Sequence, residues 1–260
     1  MSRSSSSSPV GVFGLLALLI LGGMVMAVTM WATMPSNRDG IAMIGPAESA
    51  DGYRLWAERG DGTAVRWNPC STIDWVLNPD GAPDDAVDLV AEAFSRVGAV
   101  TGHQFRYLGT TDERPSDPRP TIDTDRYGQD WAPVLVAWTA PGPGVALRDS
   151  DQGVAVPVAV DGVFVTAQVL LNAERWLAPD FSERSVSWGS VLVHELGHVV
   201  GLDHVDDPDQ LMYRYAGSGP VAFGSGDLAG LQAVSIAAGD GACLDAGRPR
   251  LVDIQVSERR

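Results

Sequence analysis

One stretch limits this chain more than any other: Val191 to Tyr213, VLVHELGHVVGLDHVDDPDQLMY. It holds three of the four histidines, His194, His198 and His204, spaced by four and then six residues. On a helix, residues four apart lie one above the other, so His194 and His198 present two imidazoles to one point. A continuing helix would carry residue 204 away from that point. Gly201 resolves this, because a residue without Cβ can adopt the left-handed backbone that ends a helix and turns the chain. His204 then arrives from the turn as a third ligand.

Three neutral imidazoles suit zinc, which binds nitrogen at about 2.0–2.1 Å in tetrahedral geometry and in catalytic sites keeps its fourth position open for water. Glu195 directly follows the first ligand, so it reaches the open position rather than the ion. A carboxylate there can take a proton from water that zinc has acidified as the water attacks a carbonyl, and zinc polarises that carbonyl. The pattern therefore implies peptide-bond hydrolysis with one catalytic Zn2+ ion and no covalent intermediate. His103, the remaining histidine, lies between a helical and a strand-like stretch with no partner pattern and is assigned no role.

The chain of 260 residues is long enough to bury a full core. Its net charge of -15 and pI near 4.5 exclude nucleic acid as a natural partner. Val10 to Met34 carries no charge and comes after Arg3 and a serine tract. About 20 apolar residues span a bilayer, and a positive charge on the amino-terminal side favours export of the rest of the chain. Two outcomes stand: a single-pass membrane protein with its catalytic part outside, or a secreted one if cleavage occurs after Ala27. Outside the cytosol Cys70 and Cys243 are expected to pair; otherwise they are two buried thiols.

These readings divide the chain into 1–34 as anchor or signal peptide, 35–63 as juxtamembrane spacer, 64–245 as the metallopeptidase domain and 246–260 as a tail. Within the domain, the pattern predicts a strand at 72–78 and a helix over 84–100. Next come a strand at 104–108, a long loop over 109–129 and a strand at 134–138. Val154–Val160 and Val163–Leu171 flank Asp161-Gly162, a two-residue connection suited to a type I′ hairpin. A helix over 187–200 carries the first two histidines, and a last helix begins with Asp227 as its cap.

The segment HELGHVVGLDH with LMY after it resembles the matrixin branch of the metzincins, whose long motif it reproduces. The resemblance extends from about Ala64 to Asp245 and takes in Arg66-Trp67-Asn68-Pro69-Cys70 and Gly226-Asp227-Leu228-Ala229-Gly230-Leu231. It implies an α+β metzincin-like domain, with a twisted, mixed five-stranded sheet, three helices and an antiparallel edge strand above the cleft. It makes Met212 the methionine of a turn beneath the metal. It also places a peptide substrate along the sheet edge, for which 154–160 is the candidate, with Tyr213, Arg214 and Tyr215 walling the pocket beyond the scissile bond.

Related astacin-like and serralysin-like proteins place a tyrosine ligand two residues after the methionine; here that residue is Arg214. The second, structural zinc of vertebrate matrixins cannot be built in the same way from His103 alone, and no cysteine precedes Cys70 to serve their latency switch. Acidic loops offer oxygen ligands for Ca2+, but no EF-hand pattern is present. The competing reading is a cell-surface peptide-binding module that retains the zinc site without catalysis. Substrate, oligomeric state and control are not encoded in any local pattern.

Overall fold

The computed structural model describes residues 49–182, 185–215 and 222–247. The amino-terminal segment read as anchor or signal peptide lies outside the described residues, as does most of the tail. Among the described residues, no helix is long and apolar enough to cross a membrane.

The described part is a mixed sheet with four α-helices. The strands are β1 (Arg54–Leu55), β2 (Arg66–Trp67), β3 (Ile73–Asn78), β4 (Phe105–Thr110), β5 (Val134–Thr139), β6 (Gly153–Val160), β7 (Val163–Asn172) and β8 (Leu202–Asp203). The helices are α1 (Ala86–Thr101), α2 (Thr124–Tyr127), α3 (Trp188–Val200) and α4 (Ser225–Ala233). β4, β3, β5 and β7 lie side by side in parallel, and β6 runs antiparallel to β7. The expected five strands are therefore present, and short β2 joins the start of β7 as a sixth. The fourth helix, α2, is a single turn inside the loop expected over 109–129.

The β6–β7 connection forms as its residues require: Asp161 and Gly162 both have positive φ, 50° and 74°, the condition for a type I′ turn. Every residue of β7 is buried, so it reads as a continuous apolar run rather than an alternating one. α3 is also buried along its whole length except at His194, which makes it the central helix of the domain. It starts with a reciprocal cap, in which Ser187 and Ser190 each accept a bond from the other's backbone N–H.

Two expectations change. Residues 49–63 are part of the folded body, not a spacer: β1 pairs with β8, and Leu55 and Ala57 lie in the core at 8% and 1% exposure. Asp227 does not cap the last helix from outside, because α4 begins at Ser225 with Gly224 before it. Asp227 sits one turn in, and its carboxylate accepts the Gly224 N–H from there.

Cys70 and Cys243 form a disulfide with their Cα atoms 5.3 Å apart, which ties the stretch before β3 to the carboxyl-terminal end. On the far side, the 111–133 loop is held by a buried ion pair. Arg119 makes a two-bond fork to Glu113 at 2.7 and 3.0 Å and also donates to Thr166 Oγ1 and the Ala167 carbonyl of β7. A charge pair this buried is tolerable only when its remaining hydrogen-bonding positions are filled, as they are here.

Candidate metal centre

α3 brings His194 and His198 to one face, and Gly201 ends the helix at φ 120°. That value is positive, as the turn demands, but lies beyond the left-handed helical well. A Cβ at Gly201 would also press on Phe164, Val234 and the Val65 carbonyl at 3.2–3.3 Å, so both backbone angle and space select glycine. The chain then passes through β8 and delivers His204.

The three Nε2 atoms converge. His204 Nε2 lies 3.1 Å from His194 Nε2 and 3.2 Å from His198 Nε2. Ligands on a tetrahedral zinc at about 2.05 Å stand roughly 3.3 Å apart, so the spacing fits that ion. The tautomers fit as well. His194 Nδ1–H donates to the Leu211 carbonyl at 2.7 Å and His198 Nδ1–H to the Leu202 carbonyl at 2.8 Å. Each bond leaves an Nε2 lone pair facing the common point, the usual arrangement of a ligating histidine. Among the described residues, no second group of three or more histidine, cysteine, aspartate or glutamate side chains converges in this way.

Electrostatics favour the neutral, ligand-ready imidazole. Burial pushes His194 down to about 4, with His204 adding to the effect. Burial likewise lowers His198 and His204. Glu195 moves the other way. Burial lifts its carboxyl to about 8, the Ala155 backbone N–H opposes the rise, and the charge of Asp151 adds to it. A divalent cation beside it would favour the carboxylate again.

Met212 is 1% exposed and packs under α3. A Cβ on Gly197, between the two helical ligands, would come within 2.5 Å of the Met212 sulfur. Gly197 is what lets the Met212 side chain approach the helix so closely. The sequence signal for Gly197 is a glycine inside an otherwise helical pattern.

Other supports have no local signal in the sequence. Asp227 is 1% exposed and accepts the backbone N–H of Leu211 at 2.6 Å and of Met212 at 3.2 Å. Leu211 in turn accepts from His194, so this peptide group links Asp227 to the first ligand. Trp56 packs edge-on against the His198 ring at 5.3 Å, and its backbone N–H donates to the Gly201 carbonyl. Arg54 Nη1 donates to the His204 carbonyl at 3.1 Å, while Asp203 accepts the His204 N–H at 2.7 Å.

Of the three candidate pocket residues, Tyr213 is half-buried and its ring lies 5.4 Å from that of Tyr215, which is exposed. Arg214 is turned to Asp206 at 2.6 Å. His103 is a core residue away from the centre: it is buried, its Nε2 bonds the Val234 carbonyl at 3.3 Å, and burial lowers its pKa.

A helix with two histidines and a turn with a third thus bring together three side chains that could hold one metal ion, with a methionine beneath them. The family model described as Matrixin matches residues 155–234, so the stretch from β6 through α3 to α4 is similar to that family. No curated protein matches the chain.

Proposed function

We propose that this protein is an exported zinc-dependent endopeptidase that cleaves extended peptide segments, with His194, His198 and His204 as ligands and Glu195 as general base. The observation that carries the reading is the convergence of three Nε2 atoms at 3.1–3.2 Å with the Nδ1 atoms of two of the rings already bonded. Zinc held there supplies Lewis acidity, which polarises a peptide carbonyl and acidifies water near neutral pH.

The chain's own residues supply the remainder. Glu195 is buried on α3, one position after His194, and lies against Gly153 of β6. From there it accepts a proton from the attacking water and returns it to the departing amine. β6 leads the substrate past this carboxylate by strand addition, a reading supported by its having β7 alone as partner among the described strands. Tyr213 and Tyr215 border the path beyond the methionine turn. Export, and with it the choice between a membrane anchor and a secreted form, rests on the apolar segment at 10–34.

The test uses the purified chain with a fluorogenic peptide library, with and without a chelator. Chelator-sensitive cleavage, one zinc per chain, and a Glu195→Ala variant that keeps the zinc but loses cleavage by at least about 1,000-fold are expected. Undiminished cleavage by Glu195→Ala would refute the mechanism. Peptide binding with no chelator-sensitive cleavage would favour the non-catalytic module.

A further inference from the structure

A second concavity lies where the sheet is incomplete. β2 pairs with β7 only at Val163 and Phe164, whereas β5 joins the same side of β7 from Gln168 onward. A groove of about 340 Å3 opens beside this interruption. Buried Trp67, Ile73 and Phe164 form its floor, half-buried Trp131 stands above them, and Leu244 to Gly247 make up part of its rim. Neither the metal ligands nor Glu195 line it, so it is a separate feature from the site described above.

The groove has charge of one sign. Asp74, Asp130 and Asp245 line it, and no lysine or arginine does. Asp74 is held by Arg106 through two bonds of 2.8 and 2.7 Å, and Asp245 accepts the Gly247 N–H at 2.7 Å. Asp130 is exposed and has no hydrogen bond or ion pair among the described residues. Carboxylates around an apolar floor suit a ligand that combines a cation with an aliphatic group.

The chain carries such a ligand at the rim itself. The Cys70–Cys243 disulfide and a bond from the Leu244 N–H to Asn68 Oδ1 at 3.1 Å hold the residues before Gly247 against the groove. Directly after Gly247 come Arg248-Pro249-Arg250-Leu251-Val252, two cations followed by two aliphatic side chains. Across 248–260, Arg248, Arg250, Arg259 and Arg260 outnumber Asp253 and Glu258, although the whole chain has a net charge of -15.

We propose that residues 248–252 dock in this groove, with their arginines at Asp130 and Asp245 and Leu251 against the floor. The dimensions favour a tethered occupant. A volume of 340 Å3 is at the small end for a binding pocket, and ion pairs at an exposed rim are individually weak. A free peptide therefore gains little there. A segment attached at Gly247 meets the groove at an effective concentration in the millimolar range, an advantage that neither a second copy nor an unrelated basic peptide has.

Hydrogen exchange of the full chain, read by mass spectrometry, tests this. At low ionic strength the amides of 250–252 exchange at least about fivefold more slowly than in a synthetic peptide of residues 248–260. The Asp130→Asn, Asp245→Asn double variant reduces that protection to below about twofold, as does salt at about 1 M. Both aspartates are exposed, and unchanged exchange in α3 checks that the variant is folded. Exchange at the free-peptide rate in the unmodified chain overturns the proposal. Protection that survives the double variant also overturns it, because the segment then binds elsewhere. So does protection that grows with protein concentration, which makes the occupant a second copy. An unrelated arginine-containing peptide that binds the unmodified chain but not the double variant overturns it as well, since the groove is then open to a partner.

Discussion

Gly197→Ala sets two effects of opposite sign against each other at the centre of the site. In an ordinary helix interior the change stabilises by about 1 kcal/mol, because alanine has less backbone freedom to lose. Here the new methyl would lie 2.5 Å from the Met212 sulfur and 3.2 Å from its Cε, and forcing extra volume into a packed core costs about 1–3 kcal/mol. A methionine normally absorbs such a strain by changing rotamer. Met212 has little room to do so, since it is 1% exposed within the core, and its backbone is held below α3 by the bonds from its N–H to Asp227 and from the Val205 N–H to its carbonyl. Steric cost therefore exceeds propensity, and Gly197→Ala is expected to destabilise by about 1–2 kcal/mol. Met212→Ala alone leaves a cavity and costs about 2–5 kcal/mol. In the double variant the methyl added at position 197 enters that cavity, so the total should fall short of the sum by at least about 1 kcal/mol. Urea unfolding at fixed free zinc measures all four proteins, since bound metal itself shifts the midpoint. A stabilised Gly197→Ala, or a double variant additive to within about 0.5 kcal/mol, would refute the claim that the sulfur excludes a side chain at this position.

Removing the bond from Arg54 to the His204 carbonyl should matter for the metal more than for the fold. Arg54→Ala is expected to weaken zinc binding about tenfold, the low end for an outer-shell partner, measured by competition with a chelating dye; unchanged affinity would mean that Asp203 positions His204 alone. The Cys70→Ser, Cys243→Ser double variant should lose about 2–4 kcal/mol in chemical denaturation while still binding one zinc. In the metal-free protein the histidine pKa values are lowered by folding, so their contribution is present above pH 6.5 and is lost as pH falls toward about 4. Glu195 has the opposite sign: its contribution is present below pH 4.5 and is lost as pH rises through about 8. Urea midpoints of the metal-free protein should therefore rise from pH 4 to 6.5 and decline toward 8, and Glu195→Gln should abolish the decline but not the rise. A decline that survives in that variant would place its cause elsewhere.

The three ligands, the turn at Gly201 and the β6–β7 hairpin are legible in the sequence because each depends on residues close together in the chain. A four-residue spacing puts two histidines on one helix face whatever surrounds them, and Asp161-Gly162 meets the requirement of its turn unaided. The features that escape a local reading are long-range. β1 has two residues, too few for any periodicity, and pairs with a strand almost 150 positions later, so the stretch around it looks like a spacer. Asp227 is recognisable as an amino-terminal helix residue, and its Gly224 bond honours that, but nothing local shows that the same carboxylate holds Leu211 and Met212. The buried Arg119–Glu113 pair is likewise hidden in a loop rich in exposed charges.

These omissions share a cause that bears on how the site works. Each ligand has a different support: Leu211 and through it Asp227 of α4 for His194, Leu202 and Trp56 for His198, Asp203 and Arg54 for His204. The segment that reads as a spacer supplies two of them, and α4 supplies another. A peptide spanning only Val191 to Tyr213 would carry every ligand and none of these distant supports, so its imidazoles would be free to turn and to protonate. Metal binding is consequently coupled to formation of the whole domain. The sheet contributes to the same coupling: α3 lies between the sheet and the turn that holds His204, and Gly153 of β6 lies against Glu195 much as Met212 lies against Gly197. The helix that carries the motif is therefore fixed from two sides by glycine contacts, one setting the height of the metal ligands and the other the distance from the carboxylate to the strand along which a substrate would run.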